Sequence, residues 1–245
     1  MIRFFRIISV LICVTIFGLG SCGLSFIVFP LGAVFVPEKY RRKYYTAIVH
    51  YSWKIFTSLI QIAGCVRVKT SGSFEDIHGK IIVASHPSLI DIVLLIGKIP
   101  NSVCIAKQGL MKNFIMRNIV KHAYILNGGD SEQFISEAKQ LLQEGFNIVI
   151  FPTGTRTKKG EDIKIHKGAA QLAIASGVDI IPIKIDCDYE FLQKNKSMLD
   201  AGDHIVNYTL EIQPTISLKD FDTENLTEIK LRNHISEKIK SAITQ

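Results

Sequence analysis

Cysteine is scarce and unpaired in this 245-residue sequence: Cys13, Cys22, Cys65, Cys104 and Cys187 share no CxxC spacing. An odd count without paired spacing excludes a disulfide framework and a thiolate zinc site, and reduced thiols in a cytoplasmic protein are the simple expectation. His, Asp and Glu are likewise nowhere grouped at metal-ligand spacing, so no metal is expected. Repeats and low-complexity tracts are absent. With 17 Gly, 7 Pro and 21% charged residues, disordered and collagen-like classes are excluded as well. The longest absence is of charge, since none of the 31 residues from Ile7 to Pro37 carries one.

That stretch is what is most conspicuously present. It exceeds the roughly 20 residues that a membrane-spanning helix needs. As one straight helix it would reach about 46 Å, against a hydrocarbon core of about 30 Å. Gly18, Gly20 and Gly23, with Ser21 among them, fall near its middle and Pro30 falls later. We therefore expect a helical hairpin dipping into one leaflet, with arms at 7–17 and 24–35, and a single tilted span as the alternative. Basic residues at both ends (Arg3, Arg6; Lys39, Arg41, Arg42, Lys43) suit a hairpin with both flanks on the cytoplasmic side. A cleaved leader is the competing reading, and Leu19-Gly-Ser-Cys22 resembles a lipoprotein cleavage box, but the apolar run continues to Val36. The segment 45–64 interleaves Tyr45, Tyr51 and Trp53 with His50 and Lys54, as a headgroup-layer helix or an ordinary packed helix would.

The net charge of +7 is unevenly placed: residues 1–60 carry +6, 61–97 are neutral, 98–178 carry +5 and 179–245 carry −4. A uniform nucleic-acid-binding surface is a poor match, and no nucleic-acid partner is expected. Two basic patches remain, one for an anionic membrane and one for an anionic substrate. The two Asn-x-Thr triplets at Asn207 and Asn225 are read as chance matches.

After Cys65, short β-branched runs alternate with longer amphipathic ones. Strands are expected at 66–70, 80–85, 103–107, 123–126, 147–151, 180–186 and 206–212. Helices are expected at 92–96, 110–121, 131–144, 167–176 and 223–242. This alternation predicts an α/β fold with a mostly parallel mixed sheet flanked by helices, and such sheets bind ligands beyond the carboxyl ends of their strands. The expected organisation is a membrane-associated helical region at 1–64 followed by one catalytic domain at 65–245.

Two strand ends carry the chemistry. The strand Ile81-Ile-Val-Ala84 runs into Ser85-His86-Pro87-Ser88-Leu89-Ile90-Asp91. A turn between His86 and Asp91 can bring the carboxylate back to the imidazole Nδ1–H, leaving Nε2 free as a base. The bland alternative is that Ser88 and Asp91 form only a capping box at a helix start. Further on, Asn147-Ile-Val-Ile-Phe151 ends in Pro152-Thr153-Gly154-Thr155-Arg156, with Lys158, Lys159, Lys164 and Lys167 beyond. Gly154 permits a close turn, the hydroxyls of Thr153 and Thr155 offer hydrogen bonds, and Arg156 offers a planar donor pair suited to phosphate. A solvated basic loop would look similar.

Taken together, HPSLID at 86–91 and FPTGTR at 151–156 resemble the signatures of the lysophosphatidate (1-acylglycerol-3-phosphate) acyltransferase family. Lys107 after the next strand, Lys167-Gly168-Ala169 and the Pro182 strand stand in the family's order, so the resemblance covers roughly 66–186. It implies a glycerolipid-acyltransferase-like domain behind an N-terminal membrane anchor, on the cytoplasmic side of a bacterial inner membrane. It implies transfer of an acyl group from acyl-CoA or acyl carrier protein to a lipid hydroxyl, with no cofactor beyond that donor. His86 and Asp91 would be catalytic, and Lys107, Thr153, Gly154, Thr155 and Arg156 would bind the acceptor. Thr153 stands where the family has Glu, and Asn127 where many members carry a cation-bearing Ile-Asp-Arg end. Those departures leave open a non-phospholipid acceptor, such as a glycolipid or an aryl polyene lipid, and a non-catalytic lipid-binding member.

Overall fold

The computed structural model describes residues 2–127, 131–157, 163–189, 191–192, 200, 202–221 and 226–244. Three N-terminal helical segments lead into an alternating region: α1 (Ile2–Gly23), α2 (Phe29–Phe35), α3 (Glu38–Ile62), β1 (Val66–Ser71), β2 (Ile81–Ala84), α4 (Asp91–Ile96), β3 (Ser102–Lys107), α5 (Met116–Ala123) and β4 (Tyr124–Asn127). There follow α6 (Ser131–Gln143), β5 (Asn147–Ile150), α7 (Gly168–Ser176), β6 (Ile180–Cys187), β7 (Val206–Ile212) and α8 (Glu228–Thr244). The sheet has seven strands in the order β1-β7-β6-β2-β5-β3-β4. Every pairing is parallel except β6 with β7.

Central β2 is buried along its whole length, as expected of a parallel strand with helices on both faces. Its side chains divide by the period of two, with Ile82 and Ala84 facing the core under α3, α4 and α5, and Ile81 and Val83 facing the core under α6, α7 and α8. The connection leaving β2 carries α4 on the first face, and the one leaving β5 carries α7 on the other. Adjacent strands whose connections diverge to opposite faces open a crevice at their carboxyl ends. His86 follows β2 and Pro152 follows β5, so both motifs start at that crevice.

The chain does not turn at the mid-run glycines. Gly18, Gly20 and Gly23 lie within α1, and a π-helical stretch at Leu24–Val28 continues directly into α2. One helix from Phe4 to Phe35, 32 residues long, is thus long and apolar enough to cross a membrane. The reversal comes at Val36 and Pro37: Val36 is extended, as a residue before proline prefers, and Pro37 heads α3 with Glu38 in its first turn. A hairpin exists, but its second arm is α3. Gly32 permits the close contact, because a Cβ there would stand 2.6 Å from Tyr44 Cε1.

The basic flanks also differ from expectation, because three of the six, Arg6, Arg41 and Arg42, serve the fold. Arg41 donates to the Ala33 and Val36 carbonyls at 2.7 and 2.9 Å, satisfying the open end of α2. Arg42 reaches the Tyr124 carbonyl and pairs with Glu137 at 2.7 Å. Arg6 is buried against the Gly64 carbonyl at 3.0 Å. α1 is lipophilic on both sides: Val10 and Cys13 enter the core, whereas Phe4, Phe5, Leu11, Ile12 and Leu19 are exposed.

The sheet strands fall within two residues of expectation. The helix expected at 110–121 is divided, with a 3-10 turn over Gln108–Lys112 and α5 from Met116. Asn113 makes the division by accepting from the Ile115 and Met116 N–H groups at 3.0 and 3.1 Å, a local cap that starts a new helix. Of the helix expected at 223–242, α8 begins at Glu228, and 222–225 lie outside the described residues.

Candidate active site

The turn between His86 and Asp91 closes as the spacing predicts. His86 Nδ1 lies 2.9 Å from Asp91 Oδ2. The Asp91 carboxylate is fully buried and also accepts from the Ser88 N–H at 2.7 Å and the Ser88 hydroxyl at 2.5 Å. Asp91 stands in the first turn of α4, but Ile90 is the N-cap and makes no side-chain cap, and the Ser88 hydroxyl donates to Asp91 instead of accepting from the helix backbone, so the expected capping box does not form. Complete burial raises the Asp91 carboxyl above its ordinary range, and donation by His86 and Ser88 opposes that shift. Tyr208, from β7, is buried beside Asp91, and burial pushes its phenol well up, so it stays neutral there.

His86 is held from three directions. Its ring stacks on Phe151 at 4.3 Å between centroids and 27° between planes. Its carbonyl accepts from the Thr157 N–H at 3.0 Å. Ser85, one residue earlier, accepts from the Ile185 N–H at 2.7 Å and donates to the Ile185 carbonyl, locking the end of β2 to β6. The imidazole edge opposite Nδ1 belongs to a side chain that retains 18% exposure.

The second motif turns tightly next to this ring. Gly154 takes a φ of +63°, which favours glycine, and its N–H donates to the Phe151 carbonyl at 3.0 Å. Thr153 is buried and its hydroxyl donates to the Thr155 carbonyl at 2.8 Å, so it braces the loop. Thr155 is exposed. Arg156 Nη1 donates to the Leu192 carbonyl at 2.7 Å. The same carbonyl accepts from the Leu89 N–H at 3.2 Å, and Leu192 has a φ of +54°. Lys107, at the carboxyl end of β3, is exposed on the same edge and makes no ion pair among the described residues.

His86, Asp91, Gly154, Thr155 and Arg156 are thus brought to one crevice edge, with Lys107 one strand beyond β5. Lys167 instead donates to Asn233 of α8 at 2.6 Å, and Lys158 and Lys159 lie outside the described residues. Ser88 was expected only as a helix cap and Phe151 only as part of its motif, and Leu192 and Tyr208 were not foreseen. Leu192, in a turn beyond β6, and Tyr208, in β7, are remote in sequence from His86 and carry no local signal.

An apolar cavity of about 100 Å³ adjoins the first motif. Its walls come from α1 (Cys13, Val14, Phe17), from α3 (Ile60) and from the motif region itself (Leu89, Ile90). Leu192 also lines it, so the residue that holds Arg156 on one side closes the cavity on the other. Among the described residues no group of His, Cys, Asp and Glu could hold a metal ion.

Residues 65–186 match the family model described as Acyltransferase. The chain is 29% identical over 105 residues to a 1-acyl-sn-glycerol-3-phosphate acyltransferase of Borreliella burgdorferi, covering 43% of this chain and 41% of that protein. A protein of the same description from Bacillus subtilis is 28% identical over 155 residues, covering 59% of this chain and 76% of that one. The chain therefore spans between about two fifths and three quarters of the length of these curated relatives. In fold it is similar to the crystal structure of the 1-acyl-sn-glycerophosphate (LPA) acyltransferase PlsC from Thermotoga maritima. That likeness has a TM-score of 0.73 at 22% identity and covers 99% of this chain and 97% of the other. The matched segment begins at the first strand of the sheet and ends in β6, enclosing both motif loops, and the chain belongs to the acyltransferase family.

Proposed function

We propose that this protein is a membrane-associated O-acyltransferase that moves a fatty acyl group from acyl-CoA or acyl carrier protein to the hydroxyl of a lysophospholipid such as 1-acylglycerol-3-phosphate. The observation that carries the reading is the 2.9 Å contact between His86 Nδ1 and the buried Asp91 carboxylate at a crevice shared with Arg156. A lipid-binding module has no use for a base held in one tautomer by a buried acid.

The chemistry follows from that pair. His86 Nε2 takes the proton of the acceptor hydroxyl as its oxygen attacks the thioester carbonyl carbon. Asp91 holds the ring and stabilises the imidazolium that forms. The tetrahedral centre then collapses, the C–S bond breaks, and the imidazolium returns the proton to the leaving thiolate, giving an ester and a free thiol. No acyl-enzyme is needed. The N–H groups of Ser88, Leu89 and Gly154 are already engaged with Asp91, Leu192 and Phe151, so donors to the developing oxyanion are sought at the backbone following Gly154. Arg156 exchanges the Leu192 carbonyl for the acceptor's phosphate, a stronger charge-assisted partner, and Lys107 adds a second cation.

The apolar cavity suits acyl chain, since each methylene it takes from water contributes about 0.8 kcal/mol. Its wall on α1 makes the N-terminal helix part of the working site, and the exposed apolar face of that helix supports membrane association. We place the catalytic region, 65–245, at the cytoplasmic face of a bacterial inner membrane, anchored through residues 1–64. The test presents labelled acyl-CoA and labelled acyl carrier protein to the full chain in mixed micelles with a panel of lysophospholipid, glycolipid and polyene-lipid acceptors. Ester formation on 1-acylglycerol-3-phosphate supports the reading; transfer confined to another lipid class, or lipid binding without transfer, overturns it.

A further inference from the structure

The segment that leaves β3 carries an apolar projection set among cations. Phe114 is 71% exposed and Leu110 is 40% exposed. Between Lys107 and Asn127 there are four Lys or Arg residues, Lys107, Lys112, Arg117 and Lys121, and no Asp or Glu. Among the described residues none of the four is in an ion pair. A single exposed apolar side chain is ordinary, but a contiguous apolar patch rimmed by polar or charged groups marks a docking surface.

Phe114 is presented by a braced turn. Asn113 accepts from the N–H groups of Ile115 and Met116, and Ile119, Val120 and Ala123 bury the opposite face of α5 in the core. The turn is tied to the N-terminal helix as well. Asn118 Nδ2 donates to the Ser25 carbonyl at 2.9 Å, and the Phe114 ring lies 5.0 Å from that of Phe26. Phe26 and its neighbour Ile27 are themselves 42% and 60% exposed. The apolar surface of the membrane-candidate helix therefore continues without interruption onto the sheet domain.

We infer that Leu110 and Phe114, framed by Lys112, Arg117 and Lys121, form a second membrane-docking element, which meets the headgroup layer of an anionic bilayer. Aromatic and aliphatic side chains at the centre enter the acyl boundary while the surrounding cations stay among the phosphates. Of the flank cations, Arg6, Arg41 and Arg42 are engaged inside the fold, so this segment adds a cluster of exposed cations to the Lys39 and Lys43 that remain on the helix flank. An acidic carrier protein would also be drawn to the cations, but the apolar centre and its continuity with Phe26 and Ile27 favour lipid. The element fixes how the sheet domain sits on the membrane. Its first residue, Leu110, lies three residues after Lys107, so docking would bring the crevice edge to the surface where a lipid acceptor lies.

The experiment uses the full chain with Trp53→Phe and Phe114→Trp, so that the single indole reports position 114, in vesicles of phosphatidylcholine and phosphatidylglycerol at 3:1 whose acyl chains carry bromine. The expected result is a blue shift and strong quenching by the brominated chains, both lost with the added change Lys112→Glu in vesicles without phosphatidylglycerol. Wild-type protein gives a second measurement should the double variant fail to fold: hydrogen exchange of residues 108–118 should slow in the anionic vesicles relative to micelles. In kinetics, Phe114→Asp should raise the apparent KM for vesicle-borne acceptor about tenfold, the scale set by transferring one aromatic ring from water, with turnover in micelles unchanged. Unquenched emission and unaltered exchange in protein that floats with the vesicles would overturn the inference. So would a blue shift produced by acyl carrier protein in place of lipid, or one that grows with protein concentration before lipid is added.

Discussion

The loop after β2 and the loop after β5 leave the sheet from neighbouring strands, yet they are secured in different ways. In the first, the side chain proposed to react is immobilised: His86 is bonded to a buried carboxylate, stacked on Phe151 and tied through its carbonyl to Thr157. In the second, the backbone is secured by Gly154 and Thr153 while the side chains that would meet a ligand are loosely placed. Thr155 is exposed, and Arg156 rests on a single backbone carbonyl. A group that moves a proton gains from a fixed geometry, since misplacement raises the barrier directly. A group that captures an anion must release its resting partner first, and a neutral carbonyl is a weak enough partner to be displaced.

The widest separation between the two loops should come from substitutions of the first. His86→Ala is expected to lower turnover by about 10²- to 10⁴-fold, the range for a lost general base, with an unchanged circular dichroism spectrum; turnover near that of the parent protein would remove His86 from the reaction. Asp91→Asn should cost a comparable factor while leaving the thermal midpoint equal or higher. The reason lies in the raised Asp91 carboxyl. Between its unfolded value of 3.8 and the higher folded value, the folded chain holds a proton that the unfolded chain has released, so stability falls as pH rises through that window. Above it a constant penalty for the buried charge remains, which Asn does not carry. Midpoints measured against pH in both proteins check this, and a variant that is less stable at every pH contradicts it.

In the second loop the effect should be smaller and of another kind. Arg156→Ala is expected to raise the acceptor KM about ten- to a hundredfold, the range for a hydrogen bond to a charged group, with kcat moved far less. Arg156→Lys should recover only part of the loss, because an ammonium lacks the planar donor pair. Equal falls in kcat from Arg156→Ala would show that the second loop positions reacting atoms too, and the contrast between the loops would fail.

How far each region could be read from residues follows from how local its causes are. The central strands β2 and β5 were legible because short β-branched runs buried on both faces have few other uses, and the His86-Asp91 turn was legible because five residues of spacing carry it. The break in the N-terminal run was placed wrongly: a glycine keeps its backbone N–H and can remain helical in apolar surroundings, whereas Pro37 has no N–H to donate and marks the real reversal. Arg41 and Arg42 read as membrane-facing cations because their partners, the carbonyl end of α2 and Glu137, become neighbours only after packing. Leu192 and Tyr208 reach the site by way of β6 and β7, and no pattern near His86 announces them.

The smallest effect is expected where neither loop is involved. Cys65 and Cys104 are pushed up to about 12, in both cases chiefly by burial, with Cys13 at 3.8 Å adding to the effect on Cys65. A thiol with so high a value holds almost no thiolate at neutral pH, and the thiolate is the nucleophile. Burial thus disfavours either residue as an acyl carrier, in keeping with the proposed direct attack by an acceptor activated through His86. Cys104→Ala should leave kcat within about twofold of the parent, at a modest cost in stability for the small gap left under α5. Iodoacetamide at neutral pH should likewise leave both thiols unlabelled, as read by mass spectrometry of the folded protein. An acylated Cys65 or Cys104 peptide trapped during turnover would replace the one-step transfer with a covalent route and return the decisive chemistry to the sheet's interior.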